Sequence, residues 1–426
     1  MIQLGIKSDG SPYNRRLTAR TRRLNLYNQD LVSVDLTMLA KAPNLESLEL
    51  GRNPLRTLDL APLAQCSHLE GLVATAEAPV DLAPLAACAN LRWLHVYCQQ
   101  WPALDLMPLA GLAHFESLYV NGTVLTALDL SPLAHCTTLR SFSLHCPAMR
   151  QVALSPLAAC AQLETFSLEH TPVQELELFT WPNLQRLNLL RVPLETLDLT
   201  PLYNSKLKRF WFVEHTLAEL DLTPLVGLET LDDVYFKPAL RLLLDEVYVY
   251  HPERILSPGV RRYVDAGACL ATGRFTRLKV LLHRLMQSPS PTATPYPTMD
   301  AATFWRLIED ARSAATGGGD MASELMRRLW SLPPETLKRF YDLFWYVMSL
   351  PGDDVHRTVY EVRGGCSDDD FLDFREWLLA QGQQIFYRVV NEPQVLRVWG
   401  EDGLGFEEGI VSMPLYQVCK ARGVRV

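Results

Sequence analysis

The chain has 426 residues, of which 48% are hydrophobic and 21% are charged, and its formal net charge is −8. This composition is typical of a folded globular protein and excludes an intrinsically disordered chain. The negative balance argues against nucleic acid or an anionic membrane as the main partner, and no apolar run reaches the roughly 20 residues of a membrane-spanning helix.

The first residues lack the apolar segment of a secretory signal. The nine cysteines are odd in number and show no CxxC spacing, so neither a disulfide framework nor a metal knuckle is indicated. We therefore expect a cytoplasmic protein with free thiols, because disulfides are rare in a reducing compartment.

A short phrase built on Leu-Asp-Leu recurs through the first half of the chain. Its copies begin at Val34, Leu58, Val80, Leu104, Leu128, Val152, Leu176, Leu197 and Leu220. The copies are 21 to 24 residues apart, and a second phrase, LxxLxL, lies between them. A fixed period of this length indicates stacked structural repeats.

Residues 45–55 read LESLELGRNPL, which resembles the leucine-rich repeat pattern LxxLxLxxNxL. The resemblance extends over about residues 15–235 and implies an α/β solenoid of about ten short parallel strands. The leucines of each strand are then expected to point inward, while the residues between them line a concave binding face. Most later repeats lack a counterpart of Asn53, so other groups must satisfy their turns.

The segment after each Leu-Asp-Leu phrase usually carries a proline, which favours the start of a helical turn. The units around 176–184 and 220–228 are shorter, and there we expect an extended return. Four cysteines lie eight residues after the start of their repeats: Cys66, Cys88, Cys136 and Cys160. We interpret them as small buried hydrophobic residues.

The outward strand positions carry two groups of candidate binding residues. The first group contains Trp93, His95, Tyr97 and Tyr119, on two adjacent strands. The second group contains Arg186, Arg191, Arg209 and Trp211, and His145 is a further candidate. Exposed Trp, Tyr and Arg dominate the energetics of protein interfaces, so these groups predict protein or peptide binding. The alternative is that they are scattered surface residues with strand propensity.

No metal site or cofactor is predicted, because the histidines lack a cysteine or carboxylate at ligand spacing. The repeat pattern fades after residue 236. We interpret residues 1–236 as the solenoid, 237–286 as its C-terminal cap with helices near 259–268 and 274–286, and 287–298 as a Pro/Ser/Thr-rich linker. Residues 299–426 then form a mostly α-helical domain.

The last segment resembles a bacterial domain family of unknown function. Its motifs appear in the order FW..I from Phe304, LPPE from Leu332 and GGCSDD.F.DFR.WL..QG from Gly364. The resemblance covers about 125 residues and implies a helical domain, but it assigns no chemistry.

The GGCSDDD segment leaves two interpretations open. Ser367 and Asp370 have the spacing of a capping box, which predicts the start of a helix. Alternatively, Cys366, Asp368, Asp369 and Asp370 carry the chemistry of a peptide- or protein-modifying enzyme whose repeats capture the substrate. No residue is assigned a catalytic role. We therefore predict a binding module, with the helical domain as effector or second contact, and keep the enzyme as the alternative.

Overall fold

A computed structural model describes residues 2–237, 239–250, 252–272, 276–287, 294–315, 320–405 and 409–425. The chain divides into two compact units, residues 1–274 and residues 275–426. Strands and short 3-10 turns dominate the first unit, while the second unit is α-helical, as the sequence predicts.

The strands of the described residues are, in chain order, β1 (Ile2–Lys7), β2 (Pro12–Arg15), β3 (Arg23–Asn25), β4 (Leu31–Val34), β5 (Ser47–Glu49), β6 (Gly71–Thr75), β7 (Trp93–Tyr97), β8 (Ser117–Asn121), β9 (Ser141–His145), β10 (Thr165–Glu169), β11 (Arg186–Leu190), β12 (Arg209–Val213), β13 (Glu219–Asp221), β14 (Asp233–Phe236), β15 (Arg241–Asp245) and β16 (Cys269–Thr272). The α-helices are α1 (Glu246–Tyr250), α2 (Pro258–Asp265), α3 (Thr276–Gln287), α4 (Ala301–Ala315), α5 (Met321–Trp330), α6 (Pro334–Met348), α7 (Asp353–Arg363), α8 (Asp368–Ala380), α9 (Gln383–Asn391), α10 (Val395–Trp399) and α11 (Ser412–Ala421).

Ten strands of the first unit form one parallel sheet, in the order β14-β12-β11-β10-β9-β8-β7-β6-β5-β3. Leu94 of β7 lies opposite Leu72 of β6 and Leu118 of β8, so equivalent repeat positions are neighbours across the sheet. This arrangement confirms the predicted solenoid of about ten short parallel strands.

Two smaller sheets lie at the ends of the first unit. At the start, β1 pairs antiparallel with β2 and β4, and Leu4 is fully buried in the same core as the repeats. At the end, β15 pairs in parallel with β13 and β16. These short sheets cover the repeats that would otherwise expose apolar ends, as solenoids require.

Side chains alternate along the parallel strands in the predicted sense. In β7, Leu94 and Val96 are completely buried, whereas Trp93, His95 and Tyr97 are partly exposed. Because the side-chain period of a strand is two, burial of the leucines places every intervening residue on the outward face of the sheet. We call this surface the sheet face.

The aspartate of the Leu-Asp-Leu phrase holds the return segment in most of the repeats. In seven repeats its Oδ1 accepts a hydrogen bond of 2.8–3.0 Å from the backbone N–H two residues later: Asp35, Asp59, Asp81, Asp105, Asp129, Asp198 and Asp221. A 3-10 turn follows each of these aspartates, with proline inside all but the first. The carboxylate therefore satisfies a backbone donor that the turn leaves unpaired.

The two shorter units differ from each other. Residues 176–184 have no helical turn, as predicted, and the indole of Trp181 fills the interior and donates from Nε1 to the carbonyl of Leu157 at 2.9 Å. The prediction for 220–228 is wrong, because a 3-10 turn forms at Thr223–Leu225. Asp221 accepts from the N–H of Thr223 and supports that turn as in the longer repeats.

The four repeat cysteines are buried, as predicted. The thiols of Cys88, Cys136 and Cys160 donate to main-chain carbonyls of the preceding repeat, with sulfur–oxygen distances of 3.3–3.4 Å. They therefore act as small interior side chains that also satisfy a backbone acceptor.

Asn53 organises the first turns of the solenoid. Its Oδ1 accepts from the N–H groups of Gln29 and Leu31 at 2.9 and 3.1 Å, and its Nδ2 donates to the carbonyls of Leu26 and Leu50 at 2.7 and 2.8 Å. One buried amide thus satisfies two donors and two acceptors of the backbone.

Thr171 stands near the equivalent position of a later repeat. Its Oγ1 accepts from the N–H of Cys146 at 3.2 Å and donates to the carbonyl of Glu169 at 3.1 Å. In this turn a hydroxyl therefore takes the place of the asparagine amide. This agrees with the expectation that other groups satisfy the turns of the later repeats.

The boundary between the units lies earlier than the sequence indicated. The helix expected at 274–286 forms as α3, but it belongs to the second unit and not to the cap. Leu278 and Leu281 are buried in the core of that unit, and Arg277 forms an ion pair of 2.8 Å with Asp320 at the start of α5.

The segment proposed as a linker, 287–298, lies within the second unit by the same division. Residues 288–293 of it are outside the described residues. Tyr296 is only 3% exposed and donates from its hydroxyl to Asp310 at 2.7 Å, so its last residues pack against the helices.

We expect Asn53→Ala to lower the free energy of unfolding by about 2–4 kcal/mol, since buried backbone groups left without partners cost about 1–3 kcal/mol each. Urea denaturation of the full chain, followed by far-UV circular dichroism, measures the change. The control is Asn90→Ala, because Asn90 is exposed and makes one bond, to the carbonyl of Ser67. Equal destabilisation by the two variants would contradict the role given to Asn53.

Candidate functional site

The first predicted group of binding residues is assembled on the sheet face. Ring centroids lie 5.3 Å apart for Trp93 and His95, 5.6 Å for His95 and Tyr119, and 5.6 Å for Tyr97 and Tyr119. Asn121 donates from Nδ2 to the Tyr119 hydroxyl at 3.1 Å. These four rings, which we call the aromatic cluster, form one continuous surface across β7 and β8.

Gly71 on β6 makes room for the largest of these rings. A Cβ atom at Gly71 would lie 1.8 Å from Cε2 of Trp93, so the indole lies over the backbone of the neighbouring strand. Trp93 can adopt this position only because residue 71 is a glycine and has no side chain. The ring is consequently held in place before any partner arrives.

Burial in the aromatic cluster changes the protonation of its members. Desolvation lowers the pKa of His95, and the nearby carboxylate of Glu49 opposes this shift only in part. Burial also raises the pKa of Tyr97, with a smaller contribution from Tyr119. His95 is thus neutral near pH 7, and the aromatic cluster presents uncharged rings with polar edges.

The second predicted group divides into two. Arg209 is paired in register with Arg186 and places its guanidinium 4.5 Å from the ring centroid of Trp211. Asp233, which the sequence reasoning missed, accepts from Arg209 Nε at 2.7 Å and from Trp211 Nε1 at 2.9 Å. The carboxylate therefore fixes both side chains and lies beside them on β14.

Arg191 belongs to a different set of contacts. It forms an ion pair with Glu214, and its Nη1 lies 2.9 Å from Nε2 of His170. The ring of His170 lies 4.8 Å from that of His145, and burial together with His170 lowers the pKa of His145. The structure therefore joins His145 to Arg191 through His170, whereas Trp211 contacts Arg209 and Asp233.

An open cleft of about 770 Å³ lies where the parallel sheet meets the cap of the first unit. Its lining includes Trp211, Val213, Asp233, Tyr235, Arg262 and Tyr263. Arg262 and Tyr263 of α2 both donate to the carbonyl of Val234, at 3.2 and 3.3 Å, which fixes this wall of the cleft. Tyr235 is 54% exposed and offers a free aromatic face.

Part of this cleft could have been found from the sequence. Leu231, Val234 and Phe236 repeat the LxxLxL spacing once more, which places Asp233 and Tyr235 at outward positions. Arg262 and Tyr263 gave no such signal, because they come from a helix whose packing against β14 depends on tertiary contacts.

The GGCSDDD segment forms the start of α8 with a complete capping box. Ser367 Oγ accepts from the N–H of Asp370 at 3.1 Å, and Asp370 Oδ2 accepts from the N–H of Ser367 at 3.0 Å. Burial raises the pKa of the Cys366 thiol, and Asp370 and Asp368 add to the shift while Arg363 opposes it. Nε2 of His356 lies 3.2 Å from the backbone carbonyl oxygen of Cys366.

This geometry favours the capping interpretation over a cysteine nucleophile. A reactive thiol needs a lowered pKa, and here the shift has the opposite sign. In the part of the chain that the structure describes, no group of three or more His, Cys, Asp or Glu side chains is arranged to hold a metal ion. Within the same residues, no helix combines the length and apolar character needed to span a bilayer.

We expect a histidine NMR titration to give His95 a pKa below its ordinary value of about 6.5. Trp93→Ala should raise this pKa, because water then reaches the imidazole. The unfolded chain binds the His95 proton more tightly than the folded chain does. Protonation of His95 therefore lowers the free energy of unfolding as the pH falls below about 6.5, and His95 has no such effect above that pH. Trp345→Ala, in the second unit, is the control; an unchanged His95 pKa in Trp93→Ala would contradict this account.

No curated protein matches the chain. Among solved structures, an internalin from Listeria monocytogenes is 18% identical, with 56% of this chain and 79% of that chain covered and a TM-score of 0.35. A leucine-rich repeat protein from Leptospira interrogans is 16% identical, with 56% and 71% covered and a TM-score of 0.42.

A family model matches the second unit. Residues 299–410 fit the model described as "Protein of unknown function (DUF4240)". The matched range contains all three motifs on which the resemblance to a family of unknown function rests. The chain therefore joins an N-terminal leucine-rich repeat region to a C-terminal DUF4240 domain.

Proposed function

We propose that this chain is a protein- or peptide-binding module that recognises its partner with the sheet face. The observation that carries the proposal is the aromatic cluster, in which four partly exposed rings contact one another on two adjacent strands. Aromatic side chains that are exposed and grouped are the residues from which interface hot spots are built.

The aromatic cluster is suited to binding because its rings are already ordered. Trp93 lies over Gly71, and the Tyr119 hydroxyl is held by Asn121. Side chains fixed before association lose little rotamer entropy when a partner binds. Ordered aromatic surface of this kind therefore gives more net affinity than the same area on mobile side chains.

The cleft beside Trp211 supplies a second contact region of different character. It combines the exposed ring of Tyr235 with the carboxylate of Asp233, which pairs with Arg209, and with the guanidinium of Arg262. Pockets of this size with a few fixed polar groups suit side chains of a partner better than a flat surface does.

We propose that the second unit acts as effector or second contact.

No observation in the GGCSDDD segment favours the alternative of a modifying enzyme. Asp370 is engaged by Ser367 and by Arg363, whose Nη1 lies 3.3 Å from its Oδ1. We therefore assign the segment the structural role of starting α8.

Peptides selected by the full chain from a random display library test the proposal. We expect Trp93→Ala combined with Tyr119→Ala to weaken their binding by about 1–3 kcal/mol, because truncated hot-spot rings lose affinity of this size. Gly71→Ala should weaken it as well, since the new Cβ displaces the indole of Trp93. Fluorescence anisotropy of labelled peptides measures these affinities.

The matched control is Met107→Ala combined with His135→Ala, because both residues lie on the return side of the repeats. It should bind the selected peptides as the parent does, and thermal melting should show that all variants remain folded. Peptides that bind the sheet-face variants and the parent equally well would refute the proposal.

A further inference from the structure

His215 is a buried histidine in the turn that follows β12. Residues 207–217 keep the spacing LxxLxLxxNxL with phenylalanine at two of the leucine positions, and His215 stands where Asn53 stands in the earlier repeat. Only 7% of the residue is exposed, and its ring is stacked on the fully buried ring of Phe212, with centroids 4.0 Å apart and an angle of 17° between the planes. The imidazole therefore packs against the core of the repeats.

The ring of His215 does not take over the hydrogen bonds of the asparagine. Neither of its nitrogens has a hydrogen-bond partner in the part of the chain that the structure describes. The amide of Asn53, by contrast, meets two backbone N–H groups and two carbonyls. A neutral imidazole has one donor and one acceptor, and burying both without partners is unfavourable. The turn is therefore poorly satisfied even when the ring is uncharged.

The surroundings of His215 oppose a positive charge on the ring. Burial lowers the pKa of His215 and the ammonium of Lys237 lowers it further, whereas the backbone of Leu217 favours the charged form in part. Arg191, Glu214 and Lys237 are the residues that directly follow β11, β12 and β14. The carboxylate of Glu214 is already paired with Arg191. A protonated ring would therefore place two N–H donors and a charge against apolar side chains.

Other buried polar atoms without partners lie in the same two repeats. Among the described residues of the first unit, buried side-chain oxygens or nitrogens without a hydrogen bond occur in four residues: Asn188, Thr200, Ser205 and His215. All four lie between the start of β11 and the turn after β12. Each such atom destabilises the segment that buries it, and the repeats of a solenoid contact only their neighbours. We therefore expect local opening of the first unit to begin in these two repeats.

The same two repeats form one wall of the cleft beside Trp211. Leu190 at the end of β11 and Trp211 and Val213 of β12 line this cleft. Val213 precedes His215 by only two residues. A turn that opens at His215 therefore releases the end of the strand that carries Trp211 and Val213, and the shape of the cleft depends on the turn remaining closed.

We propose that the repeats of β11 and β12 form an acid-sensitive element, in which protonation of His215 opens the turn after β12 and disorders this wall of the cleft. Water solvates the imidazolium in the open turn but not in the closed one. The open turn therefore binds the proton at the ordinary histidine pKa of about 6.5, so the closed form is lost as the pH falls below that value and is unaffected above it. The inference goes beyond the proposed function and does not depend on it, because it concerns the order of the cleft and not its ligand.

Hydrogen–deuterium exchange of the full chain, read by mass spectrometry and corrected for intrinsic exchange rates, tests the proposal. We expect the protection of residues 186–215 to fall by up to about tenfold between about pH 7.5 and about pH 5.5, because the lower value is one unit below the ordinary pKa of histidine. His215→Asn and His215→Val should remove most of this loss. The turn accommodates both side chains elsewhere, since Asn53 and Val192 hold the same position in other repeats.

The matched control is His114→Asn, because His114 is exposed. This variant should lose protection in acid as the parent does. The protection that the His215 variants regain at the lower pH should be confined to β11, β12 and the adjoining β14, since repeats contact only their neighbours. Circular dichroism at the higher pH shows whether all variants are folded.

Three results would overturn the proposal. Equal protection of residues 186–215 at the two pH values would show that the turn stays closed in acid. A loss that persists in both His215 variants would assign the acid sensitivity to another group. A regain of protection in these variants that extends equally to β5 would make the effect global and not local.

Discussion

Burial of the inward leucines between neighbouring repeats is the constraint on which the first unit depends. No single repeat encloses its own leucines, so each of them is buried only by the repeats on either side. Stacking in register then fixes the outward residues as firmly as the inward ones, because the two sets alternate along each strand. The order of the aromatic cluster is therefore a consequence of how the leucines pack.

Much of the first unit followed from the sequence because one period governs it. The spacing predicted the parallel strands and their facing, and Trp93 and Leu94 lie where the alternation put them. The turn at Thr223–Leu225 was missed because length alone was considered, while Asp221 still supplied the cap that a helical turn needs. The hydrogen bond that Asp221 accepts from Thr223 supports the 3-10 turn even though this repeat is shorter.

It was harder to predict which of the two hydrophobic cores a helix contributes to than to predict the helix itself. The apolar stripe of α3 predicted a helix, but a stripe does not specify which core will bury Leu278 and Leu281. The same limit explains why Arg262 and Tyr263 were missed. They are distant in sequence from Val234 and contact it only after α2 packs against β14. By contrast, the capping box of α8 was predicted because it is local.

The buried cysteines of the repeats have a consequence for how the chain responds to its chemical surroundings. Burial raises the pKa of Cys88, Cys136 and Cys160 to about 11, so almost none of these sulfurs is present as thiolate at neutral pH. Oxidants and alkylating reagents attack the thiolate, and here they would also have to reach an enclosed atom. The fold of the repeats therefore protects these three thiols from oxidation and alkylation.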